Sequence, residues 1–520
     1  MCVEYLDYWD DDEKALAHAV KLAIEHARRE GYCVAKEGHP HFPGLKKANS
    51  KFWKMDYWLA PEACAKYAIG DVERTWLLWK KAMLPGLYQD MLYDQYVFRR
   101  QLLKIAYDMQ TYGRYFDAPA AEELRNKLYR EAEQLRQRIR MSAGITYKFD
   151  PGKKAHLTDL IHKRLNIPVM YKDKKGQPRM HKEAVKAYIE RYDAKPLVDL
   201  AKYKQKLKQA GDLDSYLAWI DENFRTHSSL NICGTRETRQ SSSGPNDQNV
   251  IKILLKLMVP PPGKLVLAVD MVNIELRIWA YLVGSKRLIE LFERGESVHL
   301  MIMSLIFPNE FRIYEKIKDK PKKDMTADEL EVAGCYGRVK NGNFSRIYGA
   351  TDKKTNETYH GGKASVNYCA IIDQHVPEIK SFFDACRKEC FAMYAKYKQF
   401  SIKTLSGYRL DVPPDEPYKA ANFKIQGTAG IIMSEAQIMW ANHIVYRNFD
   451  CHMVSQVHDG LDTEIPICDD IPTIVEAKLN CIRQAGMKYI PTCEATYSLL
   501  YNPVDETNYH VQKYILNATS

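Results

Sequence analysis

Two aspartates stand where carboxylates commonly meet a metal ion. Asp270 closes the short apolar run LVLAVDM (265–271), just ahead of the helical pattern IELRIWAYLVG. Asp459 occupies the turn HDG between HMVSQV and LDTEIP, which together read as a β-hairpin. Carboxylates on neighbouring strand ends could share two Mg²⁺ ions about 3.5–4 Å apart. One ion would activate an attacking hydroxyl and the other would steady the oxygens of a leaving phosphate. Taken singly, each aspartate is more often a turn or cap residue, so the pair needs support from its surroundings. A second group is Lys340, Phe344 and Tyr348, spaced i, i+4, i+8 and therefore on one helical face. A lysine there can neutralise a triphosphate as a point charge. The two aromatics can stack on base and sugar; ordinary core packing is the alternative for both rings.

These residues need elements to hold them. The segment LVLAVDM is a strand that runs into a helix, a second helix covers about 331–348, and EKIKDKPKKDMTADEL (315–330) reads as a charged, solvated segment. Residues 227–263 are rich in Ser, Gly and Asn and read as a loop. Between 98 and 220, stretches such as AEELRNKLYREAEQLRQRIR carry apolar residues at three- and four-residue spacings, which predicts helices. YKDKKGQPRMHK (171–182) adds a lysine-rich turn, so this basic helical module suits a nucleic-acid backbone, a solvated helical face being the alternative. Residues 1–85 are mixed helical sequence broken near Pro40 and Pro43.

Composition sets the outer limits. A chain of 520 residues suggests two to four domains. Its 76 Lys+Arg against 66 Asp+Glu give +10, which suits an enzyme that grips a polyanion and equally a generic basic enzyme. Twelve cysteines without a Cys-x-x-Cys pair point to reduced thiols rather than disulfides or a zinc site. The start MCVEYLDYWDDDEK is acidic and aromatic, unlike a signal peptide, and no apolar run approaches the ~20 residues of a membrane span. The expectation is a soluble intracellular chain with no membrane partner.

Five local words then fall in one order. DMVNIELRIWAYL (270–282), KNGNFSRIYG (340–349) and QVHDG (456–460) resemble motifs A, B and C of the family A, DNA polymerase I-like polymerases. RQSSSGPNDQN (239–249) and NFKIQGTAG (422–430) resemble two further elements of that family. The resemblance covers about 98–500 and implies an α+β, right-hand fold. Its expected parts are a helical thumb (91–230), palm segments at 231–290 and 416–520, and fingers (291–415). It implies extension of a primer 3′-hydroxyl with dNTPs on a DNA template in DNA replication, with Asp270 and Asp459 catalytic and binding two Mg²⁺. By resemblance, Lys340 and His299 meet the triphosphate, although His299 is nearly as well read as a packed or capping histidine. Tyr348 lies near the nascent base pair, Phe344 near the sugar 3′ position, and Glu275 crowds the 2′ position. A Phe at 344 implies poor acceptance of dideoxynucleotides. Arg239, Asn422, Gln426 and His458 would touch primer and template, where minor-groove acceptors test pair geometry without reading sequence.

Three departures qualify the match. Tyr336 stands where the family places an arginine, and Arg338, two residues on, should point about 200° away around the helix. Gly460 replaces a glutamate, leaving the catalysis to Asp270 and Asp459; glycine would ease the hairpin turn, and Asp462 is too far along the strand to substitute. Finally, residues 53–79 resemble the last motif of a 3′–5′ exonuclease, with Tyr67 and Asp71 in its Tyr-x-x-x-Asp spacing. The acidic DYWDDDE upstream does not read as a strand-borne Asp-x-Glu. Residues 1–90 are thus expected to be an exonuclease remnant, with proofreading absent or supplied by a separate polypeptide. The picture leans towards a phage-type replicative enzyme in a bacterial host cytoplasm, with a helicase-primase or single-strand-binding protein as possible partners. A repair or lesion-bypass polymerase, or a catalytically weak nucleic-acid-binding subunit, are the alternatives.

Overall fold

The computed structural model describes residues 16, 18, 19 and 22, residues 61–502 apart from 174 and 363–365, and residue 505. The proline-broken loop near residue 40 and the acidic DYWDDDE lie outside the described residues. The chain divides into two compact units, 1–100 and 101–520. In the first, helix α1 (Pro61–Leu78) buries none of its residues and is followed by a π-helical turn over Trp79–Met83.

Helix α2 (Tyr93–Tyr112) runs across the boundary at residue 100, and its part in the second unit contributes buried Leu102, Ile105, Ala106 and Met109. Helices α3 (Ala118–Ser142) and α4 (Lys195–Leu217) lie against each other. Asp117 caps α3 by accepting from Ala120 N at 3.0 Å, and Pro119 and Pro196 occupy the first turns, where a missing N–H is harmless. Ion pairs Lys206–Glu131 (2.6 Å) and Arg138–Asp199 cross between the two helices. One end of the pair carries a small separate core of Ile139, Phe149, Leu160, Tyr188, Leu197 and Leu200.

The main core surrounds a four-stranded antiparallel sheet of strands β1 (Lys264–Met271), β2 (His452–Val457), β3 (Gly460–Pro466) and β4 (Ala495–Tyr501). Their spatial order is β4-β1-β3-β2. Leu265, Leu267, Val269 and Met271 of β1 are buried on one face, while the other face goes from buried Val266 through half-buried Ala268 to exposed Asp270. Further helices of this unit include α5 (Ile274–Val283), α6 (Val298–Ile306), α7 (Ala327–Ile347), α8 (Asp352–His360), α9 (Glu378–Tyr397), α10 (Ala420–Asn442) and α11 (Ile471–Met487).

Two stretches are more ordered than the sequence implied. The 227–263 region contains a ribbon, Ser229–Asn231 against Ser241–Ser243, and a short helix, Lys252–Leu255. The solvated 315–330 segment includes the end of the helix Pro308–Ile317 and the start of α7. There Thr326 and Glu329 form a reciprocal capping box, which starts α7 at 327 rather than 331.

Candidate active site

The register of β1 against β3 sets Asp270 opposite Gly460, and Met271 N donates to the Asp459 carbonyl at 3.1 Å. His458 and Asp459 form the two-residue loop between β2 and β3. Asp459 is half-buried, and its carboxyl is pushed up to about 7, first by burial and then by the charges of Glu275 and Asp270, with Arg239 opposing. Asp270 opens to solvent, yet local burial raises its carboxyl too; Asp462 adds to the rise, and the Met271 N–H and His458 oppose it. Both carboxyls are raised by burial and by neighbouring acids, Glu275 and Asp270 for Asp459 and Asp462 for Asp270, an excess of negative charge that a hard divalent cation with oxygen preference would offset. Among the described residues, no three or more His, Cys, Asp or Glu side chains gather to hold a metal. Asp270 and Asp459 could offer a metal two carboxylates, a small donor set compatible with Mg²⁺, an ion that takes its other ligands from phosphates and water.

Beside this pair, Glu275 in the first turn of α5 is buried and accepts from two directions. The Arg239 guanidinium donates to its Oε1 and the Tyr348 hydroxyl to its Oε2. Burial raises the Glu275 carboxyl, and Arg239 works against that rise. Arg239 is brought there by the 237–239 backbone, which crosses α10 at Gly430, where an added Cβ would meet Arg239 Cγ at 3.6 Å.

Along α7, Lys340 is exposed, Phe344 is partly buried with its ring 5.8 Å from Tyr348 and 5.7 Å from His299, and Tyr348 ends the helix. His299, on α6, is 2% exposed. Burial, assisted by the Lys340 charge, brings its imidazole down to about 4. Asn422 and Gln426 are half-buried one turn apart on α10, and Asn422 Oδ1 is buried without a hydrogen-bond partner among the described residues. The structure thus gathers Asp270, Asp459, Glu275, Arg239 and Tyr348, and links Tyr348 through ring contacts to Phe344 and His299.

The model of DNA polymerase family A matches residues 118–480. The chain belongs to DNA polymerase family A. It is 24% identical over 381 residues to DNA polymerase I of Aquifex aeolicus, covering 71% of this chain and 61% of that protein. It is 25% identical over 406 residues to the thermostable DNA polymerase I of Thermus filiformis, covering 74% and 45%. The chain therefore spans less than two thirds of these relatives' length. Among solved structures, the polymerase domain of Pol1 from M. smegmatis, in complex with DNA primer-template and dNTP, aligns with a TM-score of 0.59. It shares 19% identity and covers 77% of this chain and 69% of that one. That likeness establishes the α+β polymerase fold.

Within this family A frame the departures acquire positions. Tyr336 stands edge-on to His299 at 6.2 Å and stacks on Tyr314 at 4.6 Å, an aromatic contact in place of a cation. Arg338 lies against Gly361, where an added Cβ would meet its Cδ at 2.9 Å. One expectation needs correction: the hairpin turn does not depend on Gly460. The left-handed residue is His458 (φ 52°), and Gly460 adopts no positive φ. Asp462 is taken up by Arg114 at 3.3 Å. In the first unit, Asp71 pairs with Arg74 at 2.9 Å, and Arg74 lies over the Tyr67 ring.

Several supporting residues were given no role from the sequence. Arg277, within motif A, donates to Val272 O at 2.9 Å, to Glu494 Oε2 at 2.5 Å and to Thr492 O, tying the end of β1 to the segment before β4. Arg225 forks onto Glu464 of β3 (3.1 and 2.9 Å), and Tyr112 donates to the same carboxylate at 2.8 Å. Lys478 of α11, fully buried, donates to Leu267 O at 2.7 Å and Leu461 O at 2.6 Å, bridging β1 and β3 from below. The i, i+2 acids of β3 are visible in the sequence; their arginine partners, more than 230 residues away, are not.

Proposed function

We propose that this chain is a template-directed DNA polymerase that extends a primer 3′-hydroxyl with dNTPs, releasing pyrophosphate. In this reading residues 91–230 form the thumb, 231–290 and 416–520 the palm, and 291–415 the fingers. The observation that carries it is the strand register that puts Asp270 next to the Asp459 turn within a family A chain. Primer-template DNA and dNTPs, the ligands named for the solved M. smegmatis domain, are the proposed ligands here too.

Mg²⁺ held by Asp270 and Asp459, as two ions, would favour ionisation of the attacking hydroxyl and offset charge on the leaving phosphate oxygens. The chain's own residues do the positioning. Exposed Lys340 meets the triphosphate as a point charge, and His299 supports it from α6. Glu275, fixed by both Arg239 and Tyr348, forms a stiff wall against a sugar 2′-hydroxyl, while Phe344 faces the 3′ position. Catalysis is then mainly orientation and charge complementarity in a preformed site. Tyr67 and Asp71 are proposed as the remnant of an exonuclease motif, with Asp71 engaged by an arginine.

Primer extension with Mg²⁺ by the isolated chain tests the reading. Wild type should extend, and Asp270→Ala and Asp459→Ala should each lose at least roughly a thousandfold in kcat while still binding primer-template. Equal inertness of wild type and variants on a good primer-template would reject it.

A further inference from the structure

The proposed nucleotide site has a buried chain of hydrogen bonds behind it. Tyr359 on α8 and Asn343 on α7 are 0% and 1% exposed, and His299 is 2% exposed. The Tyr359 hydroxyl meets Asn343 Oδ1 at 2.7 Å, and Asn343 Nδ2 meets His299 Nδ1 at 2.8 Å. We propose that Asn343 and Tyr359 are positioning residues that fix the tautomer of His299, leaving Nδ1 as acceptor and presenting Nε2–H to the incoming triphosphate. This inference rests on the polymerase reading for its ligand, although not for its hydrogen-bond geometry.

The direction follows from donor accounting. A buried tyrosine hydroxyl must donate its hydrogen, and the Asn343 amide oxygen is its acceptor. That sets the amide so its NH₂ faces the imidazole, and Nδ1 must then carry the lone pair. The reversed amide would leave the hydroxyl hydrogen buried without this acceptor, a cost of about 1–3 kcal/mol. Burial also holds the Tyr359 phenol well above its ordinary range, so it stays a donor. The other ring nitrogen, His299 Nε2, is buried with no hydrogen-bond partner among the described residues. A buried unpaired donor calls for an explanation, and an acceptor oxygen arriving with a ligand supplies one. The charged group acting on the ring is Lys340, the Phe344 and Tyr336 rings lie beside it, and the ring remains neutral at physiological pH.

The seat for Tyr359 is built into the sequence. A Cβ at Gly342 would come within 2.3 Å of the Tyr359 ring carbons, so glycine here provides space between α7 and α8. Ser345–Thr355 (3.2 Å) and Arg346–Asp352 (2.7 Å) anchor the same two helices on either side.

The test uses ¹⁵N-histidine-labelled full-length protein without DNA, with the His299 resonances assigned by their loss in His299→Gln. Wild type should show the Nε2–H form. Tyr359→Phe, which keeps the ring and removes the orienting hydroxyl, should populate the Nδ1–H form. In primer extension it should raise the dNTP KM roughly fivefold to tenfold, the size of one hydrogen bond, with kcat changed less. Asn343→Asp, whose carboxylate accepts from both neighbours, should drive the ring further to Nδ1–H and raise KM more. An Nδ1–H wild-type ring, or a Tyr359→Phe protein with unchanged tautomer, overturns the relay whatever the polymerase activity. A tautomer shift without any change in dNTP KM overturns the link to the triphosphate.

Discussion

Glycine at 460 is not demanded by the backbone. A Cβ added there would meet Val457 O at 3.4 Å and Asp270 Oδ1 at 3.8 Å, which is ordinary contact. A side chain at this position would thus lie beside the proposed metal site, and its absence subtracts a carboxylate without a conformational reason. Gly460→Glu should fold with Tm within about 2 °C of wild type, because no left-handed φ is violated. It should lower the Mg²⁺ concentration for half-maximal primer extension at least roughly threefold, since carboxylate count tunes affinity for hard cations. A metal titration of both proteins checks this; an unchanged midpoint in a well-folded variant would place the side chain out of reach. The missing glutamate was plain in the sequence, whereas the cause assigned to the glycine was not sound. A positive φ belongs to a conformation, and here the loop gave it to His458.

At the scale of elements, β3 has two kinds of support. On one side its acids Asp462 and Glu464 meet Arg114 and Arg225. Glu464 is 1% exposed, so Arg225→Met would leave a buried carboxylate with the Tyr112 hydroxyl but without its cation and should cost about 3–5 kcal/mol, read as a fall in the denaturation midpoint. Combining it with Glu464→Gln should recover most of that loss, and a strictly additive double variant would show that the two residues do not act as a pair. From below, Lys478 reaches β1 and β3, and burial pushes its ammonium down to about 7. An unfolded lysine titrates at about 10.4, so between those values the unfolded chain binds the extra proton and stability rises with pH. Relative to Lys478→Met, wild type should therefore gain stability from about pH 7 to about pH 10. The Met variant should be at least as stable near neutrality, because the two carbonyls belong to paired strands. Parallel stability curves with pH would assign the titration elsewhere. Neither feature was legible from the chain, since both depend on pairings across the fold that no local pattern encodes.

Across the whole molecule, what could be read was what is local. The β1–α5 unit, the two-residue hairpin and the amphipathic α3 and α4 follow from periodicity and turn residues, and the ordered words gave the family. The Arg239–Glu275–Tyr348 latch joins three of those words, so its members were nameless as a group until the fold closed around them. The positive charge poses a similar question of placement. Exposed Lys172, Lys175, Arg179 and Lys182 project from the small core at one end of α3 and α4, far in sequence from the carboxylates. If this module grips the duplex backbone, each lost phosphate contact should reduce the slope of log K against log salt by about 0.9. Replacing all four by glutamine should weaken primer-template binding equally for unrelated sequences and flatten that slope by up to about 3–4. At saturating DNA, kcat should stay near wild type, because none of the four belongs to the α7 or β1–β3 site. Replacing exposed Lys66, Lys80 and Lys81 in the N-terminal unit is the matched control and should leave the slope unchanged. A slope untouched by the four replacements, or losses confined to particular sequences, would remove this module from the path of the DNA.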